Sequence, residues 1–112
     1  MNKPDVTVYL TDIFIQSENI IAATKRMDYE EFLNDPLYHS GIIRFFEIIG
    51  EAAKHIPEDY RKNHQEIPWK KIAGFRDRLI HGYAEVNLKY VWEIVGNDVP
   101  DLYIQIKSLL NE

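Results

Sequence analysis

The sequence contains no cysteine, which removes disulfide cross-links, thiolate metal sites and cysteine nucleophiles. It has no run of about 18 apolar residues, so no membrane-spanning helix is expected. Its opening residues, Met1-Asn2-Lys3-Pro4-Asp5, lack the charged-then-apolar pattern of a signal peptide. A cytoplasmic location is the expectation that follows. The five glycines are scattered and form no phosphate-cradling loop, and no Gly-x-Ser-x-Gly nucleophile turn occurs. The histidines His39, His55, His64 and His81 are never three or four residues apart, the spacing that puts two metal ligands on one helix face. Neither a metal nor a cofactor is expected. Positive charge is scarce as well. The formal net charge is −5, so any nucleic-acid site must be a local basic cluster rather than the whole surface.

What is present suits one domain spanning residues 1–112. Hydrophobic residues make up 46% of the chain, enough for a core. A domain this small buries only about two-thirds of its unfolded surface, so self-association would add stability. Leu10, Ile13, Phe14, Ser17, Ile20, Ile21 and Thr24 recur at helical spacing and predict an amphipathic helix from about Asp5 to Met27. Asp28 and Glu31 have capping-box spacing and predict a short turn through Phe32. Asn34-Asp35-Pro36 marks another start. From Leu37 to Ile56 the stripe Ile42, Phe45, Ile49, Ala52 and Ile56 predicts a helix apolar around much of its girth, central to a bundle or shared with a second copy. A short polar helix is expected over 58–64. Another should run from Pro68-Trp69 to His81, with Gly82 at its C-cap. Asn87 should cap a last helix carrying Val91, Ile94, Val95, Leu102, Ile106 and Leu109, interrupted near Asp98 by Pro100. No alternating strand pattern appears. The expected fold is all-α, an antiparallel bundle of four or five helices.

The residues with chemical potential gather at the end of the fourth helix. Arg76, Arg78 and His81 cluster there, Tyr83 follows, and Lys70 and Lys71 precede them, making this the most basic stretch. A guanidinium fork matches phosphate oxygens, and an imidazole exchanges protons near neutral pH. That pair is sufficient for metal-free RNA cleavage, in which the ribose 2′-hydroxyl attacks the adjacent phosphorus. Five residues of ideal helix turn about 500°, which leaves Arg76 and His81 about 140° apart. The length of the arginine, a loosened helix end before Gly82 or a second protomer would unite them. Residue types alone also fit a plainer role, in which these side chains partner the last helix carbonyls.

The segment Ile67-Pro68-Trp69-Lys70-Lys71-Ile72-Ala73-Gly74-Phe75-Arg76-Asp77-Arg78-Leu79-Ile80-His81-Gly82-Tyr83 resembles the hallmark region of HepT-like HEPN ribonucleases. Their motif is an arginine, four residues, a histidine, one residue and a tyrosine. Two further stretches resemble the same family: Arg44 to Ala53, an apolar helix containing Ile49-Gly50-Glu51-Ala52, and Tyr90 to Leu102. Asp77 departs from the asparagine more usual after the arginine. The resemblance implies a HEPN bundle that forms a homodimer and places both motifs in one cleft. It implies a metal-independent endoribonuclease toxin, of a type VII-like toxin–antitoxin pair, with RNA as substrate. By the same resemblance Arg76 and His81 are the catalytic residues. Tyr83 is the acceptor of AMP from an MntA-like minimal nucleotidyltransferase antitoxin, and a phosphate there would repel RNA and occupy the arginine. Asp77, Arg78, Arg44 and Glu51 are expected to line or support the cleft. Glu51 has a second reading as partner to a buried arginine, and Gly50 as a close helix contact. The acidic charge and Asp77 leave open an alternative, a non-catalytic HEPN scaffold or substrate for the nucleotidyltransferase.

Overall fold

A computed structural model describes residues 5–81 and 86–112. Those residues hold seven helices and no strand: α1 (Val6–Thr24), α2 (Tyr29–Asn34), α3 (Pro36–His55), α4 (Glu58–Asn63), α5 (Trp69–His81), α6 (Leu88–Asn97) and α7 (Val99–Leu110). The sequence-level bundle is therefore present, with α2 and α4 as the two short segments and the last helix divided into α6 and α7. None of the helices is long and apolar enough to cross a membrane among the described residues.

Local chemistry explains most boundaries. Asp5 caps α1 by accepting from the Thr7 amide, so it precedes the helix rather than beginning it. The helix ends at Thr24, short of Met27, and the Thr24 hydroxyl donates back to the Ile20 carbonyl at 2.7 Å. Asp28 and Glu31 form both halves of the capping box on α2. Asp35 accepts from the amides of Leu37 and Tyr38, and Pro36 occupies the first turn of α3, where its missing N–H costs nothing. Ile56 is extended ahead of Pro57, whose ring disfavours a helical residue before it, and α3 stops there. Asn87 caps α6 by accepting from the Tyr90 amide. Asp98 stands between α6 and α7, with Pro100 in the first turn of α7. Proline is compatible with a helix start and not with a continuous helix through that point.

The central position expected for the apolar 37–56 stretch is occupied by α3. It packs on α1 and α5 and is touched by α2, while α7 closes the other side of α1. Its buried stripe is Ile42, Phe46, Ile49, Ala52, Ala53 and Ile56. Phe46, which lies beside the expected stripe and broadens it, is buried, while Phe45 is only half-buried. Val91, Ile94, Val95, Leu102, Ile106 and Leu109 are all buried, as their spacing predicts.

Gly50 is the contact that sets the distance between α3 and α5. A Cβ built on it would overlap Cβ and Cγ of Arg76 and lie 3.3 Å from the Ile72 carbonyl oxygen. The missing side chain lets the two backbones meet over Arg76. Gly41, on the same helix, has nothing within 4 Å of such a Cβ. Gly50→Ala should therefore destabilise the fold by about 1–3 kcal/mol through overpacking. Gly41→Ala should be neutral or stabilising by up to about 1 kcal/mol through helix propensity. Urea denaturation of the two variants checks this. Equal stabilities would remove the close-approach explanation.

Candidate active site

Arg76 sits where α5 crosses Gly50, and its guanidinium is gripped from two sides. Nη2 is 2.8 Å from Glu51 Oε2 on α3, and Nη1 donates to Asp77 Oδ1 at 3.1 Å. The side chain is 21% exposed, enough to meet a ligand but not to swing freely. Asp77 Oδ1 also accepts from Lys54 Nζ, which ties α5 to α3 a second time. Hydrogen bonds from Lys54, then from Arg76, hold the Asp77 carboxyl below the usual carboxylate range. Both readings of Glu51 are thus realised at once: it partners the arginine, and it lines the cavity into which the arginine opens.

That cavity, of about 400 Å³, lies between α1, α3 and α5 and is lined by Tyr9, Asp12, Arg44, Glu47, Glu51 and His55, with Arg76 and Ile80 from α5. Arg44 belongs to it, although its ion pair is with Glu47 at 3.3 Å and not with Glu51. His55 was not among the residues singled out by sequence. Its Nε2 is 3.3 Å from Glu51 Oε1, and its ring stacks on Tyr9 at 5.2 Å between centroids. The signal that could have found it is the four-residue interval from Glu51 to His55, which places both on one face of α3.

His81 and Arg78 point elsewhere. Both line a second depression with Phe75, Asn87, Tyr90 and Val91, and the Arg78 guanidinium lies 5.9 Å from the centroid of the Tyr90 ring. Asp77 also borders this depression. The 140° separation is thus retained: α5 stays α-helical through His81, and no loosened end joins Arg76 to His81 within one chain. Gly82, read as the C-cap, and Tyr83, read as the AMP acceptor, lie outside the described residues.

The expected single basic patch is also dispersed by the helix. Lys70 and Lys71 face a third depression near α4, and Lys71 bonds Asp98 at 2.8 Å, a contact that raises its pKa. Arg44, Lys54, Lys71 and Arg76 each have a carboxylate within ion-pair distance. The reason is periodicity: adjacent basic residues on a helix point about 100° apart, and an acidic chain supplies a partner on each side. Among the described residues no group of three or more histidines and carboxylates is placed to hold a metal ion.

An all-helical chain with an arginine locked at a helix crossing, beside a cleft carrying a second arginine and an imidazole, has the equipment of a phosphodiester-handling protein. Comparison with known proteins gives the family. The Ribonuclease HepT-like family matches residues 13–109, and the chain belongs to it. It is 44% identical over 101 residues to "Probable ribonuclease HepT" of Thermococcus cleftensis, covering 90% of this chain and 92% of that one. It is 40% identical over 104 residues to "Putative RNase TTE0752" of Caldanaerobacter subterraneus subsp. tengcongensis, covering 93% of each. It is also 40% identical over 112 residues to "Putative RNase MJ0125" of Methanocaldococcus jannaschii, covering 100% and 97%. No solved structure matches the chain significantly.

The Asp77 bridge has a pH signature. A carboxyl whose pKa is lowered by folding contributes stability above its unfolded pKa and loses it as pH falls through the folded value. Asp77→Asn should therefore be less stable than the parent at neutral pH, with the gap closing only at pH values below the ordinary carboxylate range. Urea midpoints measured from pH 7 downward check this. A gap that is absent at pH 7 or constant with pH would refute the bridge as described.

Proposed function

We propose that this chain is a metal-independent endoribonuclease toxin that acts as a homodimer. The observation that carries the reading is Arg76, anchored against Gly50 with its guanidinium opening into a cleft shared with Arg44 and His55, in a chain of the HepT-like family. Arg76 braces the phosphate that becomes five-coordinate when the 2′-oxygen attacks. His81 transfers a proton. Since Arg76 and His81 open onto different depressions of one chain, the working site combines Arg76 of one protomer with His81 of the other. The family likeness supports control by an MntA-like nucleotidyltransferase, which places AMP on Tyr83.

A second reading is a non-catalytic partner of that nucleotidyltransferase. It is favoured by the two carboxylates, Glu51 and Asp77, that already occupy Arg76. RNA would have to displace or outbid them.

Expression of the parent chain should arrest growth, and purified protein should cut RNA in excess EDTA, leaving a 2′,3′-cyclic phosphate. Arg76→Ala should lower kcat by about 10²–10³-fold, the usual cost of deleting one charge-stabilising donor. His81→Ala should abolish arrest. Incubation with the nucleotidyltransferase and ATP should silence the parent and leave Tyr83→Phe active. Protein that accepts AMP at Tyr83 yet cuts no RNA would establish the second reading instead.

A further inference from the structure

Cleavage through the 2′-oxygen needs two proton movements: one off the attacking hydroxyl and one onto the departing 5′-oxygen. His81 provides one. We propose that His55 provides the other, as the general base of the Arg76 cleft, held in place by Glu51 and Tyr9; this rests on the ribonuclease reading above.

Among the described histidines, His55 alone lines the cavity into which Arg76 opens. His39 packs edge-on to Phe32 at 5.9 Å, and His64 is stacked on Tyr60 at 4.1 Å with its Nδ1 2.9 Å from the Tyr60 carbonyl. Glu51 links the two cleft groups physically, with Oε2 on Arg76 and Oε1 on His55. An ionised carboxylate can only accept, so His55 Nε2 carries the proton toward Glu51 and Nδ1 is left as the basic nitrogen. A carboxylate behind an imidazole fixes its tautomer and stabilises the imidazolium formed when it takes a proton. The Tyr9 ring, stacked at 15° to the imidazole plane, restrains its rotation. An i,i+4 pair on a helix surface can be a mere exposed ion pair. Here the two side chains are about half exposed, 54% for His55 and 51% for Glu51, but the carboxylate is shared with Arg76 and a ring from a different helix lies against the imidazole, and a bare surface pair needs neither.

In the resulting step His55 Nδ1 accepts the 2′-hydroxyl proton, and the 2′-oxygen forms its bond to phosphorus. Arg76 balances the charge gathering on the phosphoryl oxygens. The bond from phosphorus to the 5′-oxygen breaks, and protonated His81 of the second protomer gives that oxygen a proton. The products are a 2′,3′-cyclic phosphate and a 5′-hydroxyl, with no water consumed, and the imidazoles re-exchange protons with solvent. The charged and titratable groups facing His55 are Tyr9 and Asp12 from α1, Arg44, Glu47 and Glu51 from α3, and Arg76 from α5.

The test measures kcat and KM for a single-stranded RNA oligonucleotide across pH, using the purified chain in its solution assembly. His55→Ala should lower kcat by about 10²-fold or more, leave KM little changed, and abolish the acidic limb of the pH profile. His55→Gln, which can keep a hydrogen bond to Glu51 but cannot titrate, should be equally impaired. Glu51→Gln should lower kcat and displace the acidic limb. Rescue by His55→Gln would overturn the proposal in favour of a packing role. An active His55→Ala with both limbs intact would overturn it while leaving the ribonuclease reading standing. A parent chain that cuts no RNA would remove both.

Discussion

The candidate site depends on one close approach, that of Gly50 on α3 to Arg76 on α5. A guanidinium on an open helix surface samples many rotamers, and fixing it for a phosphate costs up to about 2 kcal/mol of side-chain entropy. Here the first two carbons of Arg76 are wedged against a backbone without a Cβ. Much of that ordering cost is met during folding. The apolar stripes of α3 and α5 supply the force that presses the helices together, and the glycine determines how near they come. Glu51 is adjacent to Gly50 and Asp77 adjacent to Arg76, so the same crossing delivers both carboxylates to the guanidinium.

An acidic chain that handles RNA cannot rely on long-range attraction. Nonspecific affinity comes from cations that neutralise phosphates and release counterions. Arg44, Lys54, Lys71 and Arg76 instead already have carboxylate partners. The exposed pairs of Arg44, Lys54 and Lys71 contribute about 0–1 kcal/mol to stability and are readily exchanged, whereas Arg76 is mostly covered. Their more consequential effect is on selectivity. On the proposed reading, a phosphate would gain at Arg76 only the difference between its own interaction and that of Glu51 and Asp77. Recognition then rests on shape and on the cleft's donors. Asp77 in place of asparagine would strengthen that restraint, because a carboxylate already bonded to Arg76 carries the charge a phosphate would bring.

Helix positions, caps and the break at Asp98 were legible because each is local. Asp28 with Glu31, Asp35 with Pro36, and Asn87 act within four residues of themselves. Arg76 and Gly50 were legible as family landmarks, while Glu51 was left open between a cleft residue and an arginine partner; the geometry brings the three together. What was hidden depends on tertiary placement. Phe46 is more deeply covered than Phe45, and Phe75 of α5 packs edge-on against it. His55 gains interest only when Tyr9, forty-six residues earlier, closes over it. The basic stretch looked like one patch because adjacency in sequence does not reveal direction on a helix. Lys71, Arg76 and Arg78 leave α5 toward three different depressions.

That dispersal bears on how the motif is built. With an arginine and a histidine five residues apart on a regular helix, one chain cannot focus both on the same phosphodiester. In the proposed dimer each protomer would keep its arginine in place and offer its histidine to the other. A site of that kind is active only when assembled. Within that arrangement the Glu51–His55 pair belongs to the arginine's own protomer. The half that binds phosphate then also carries a base, and the second chain need supply only the acid.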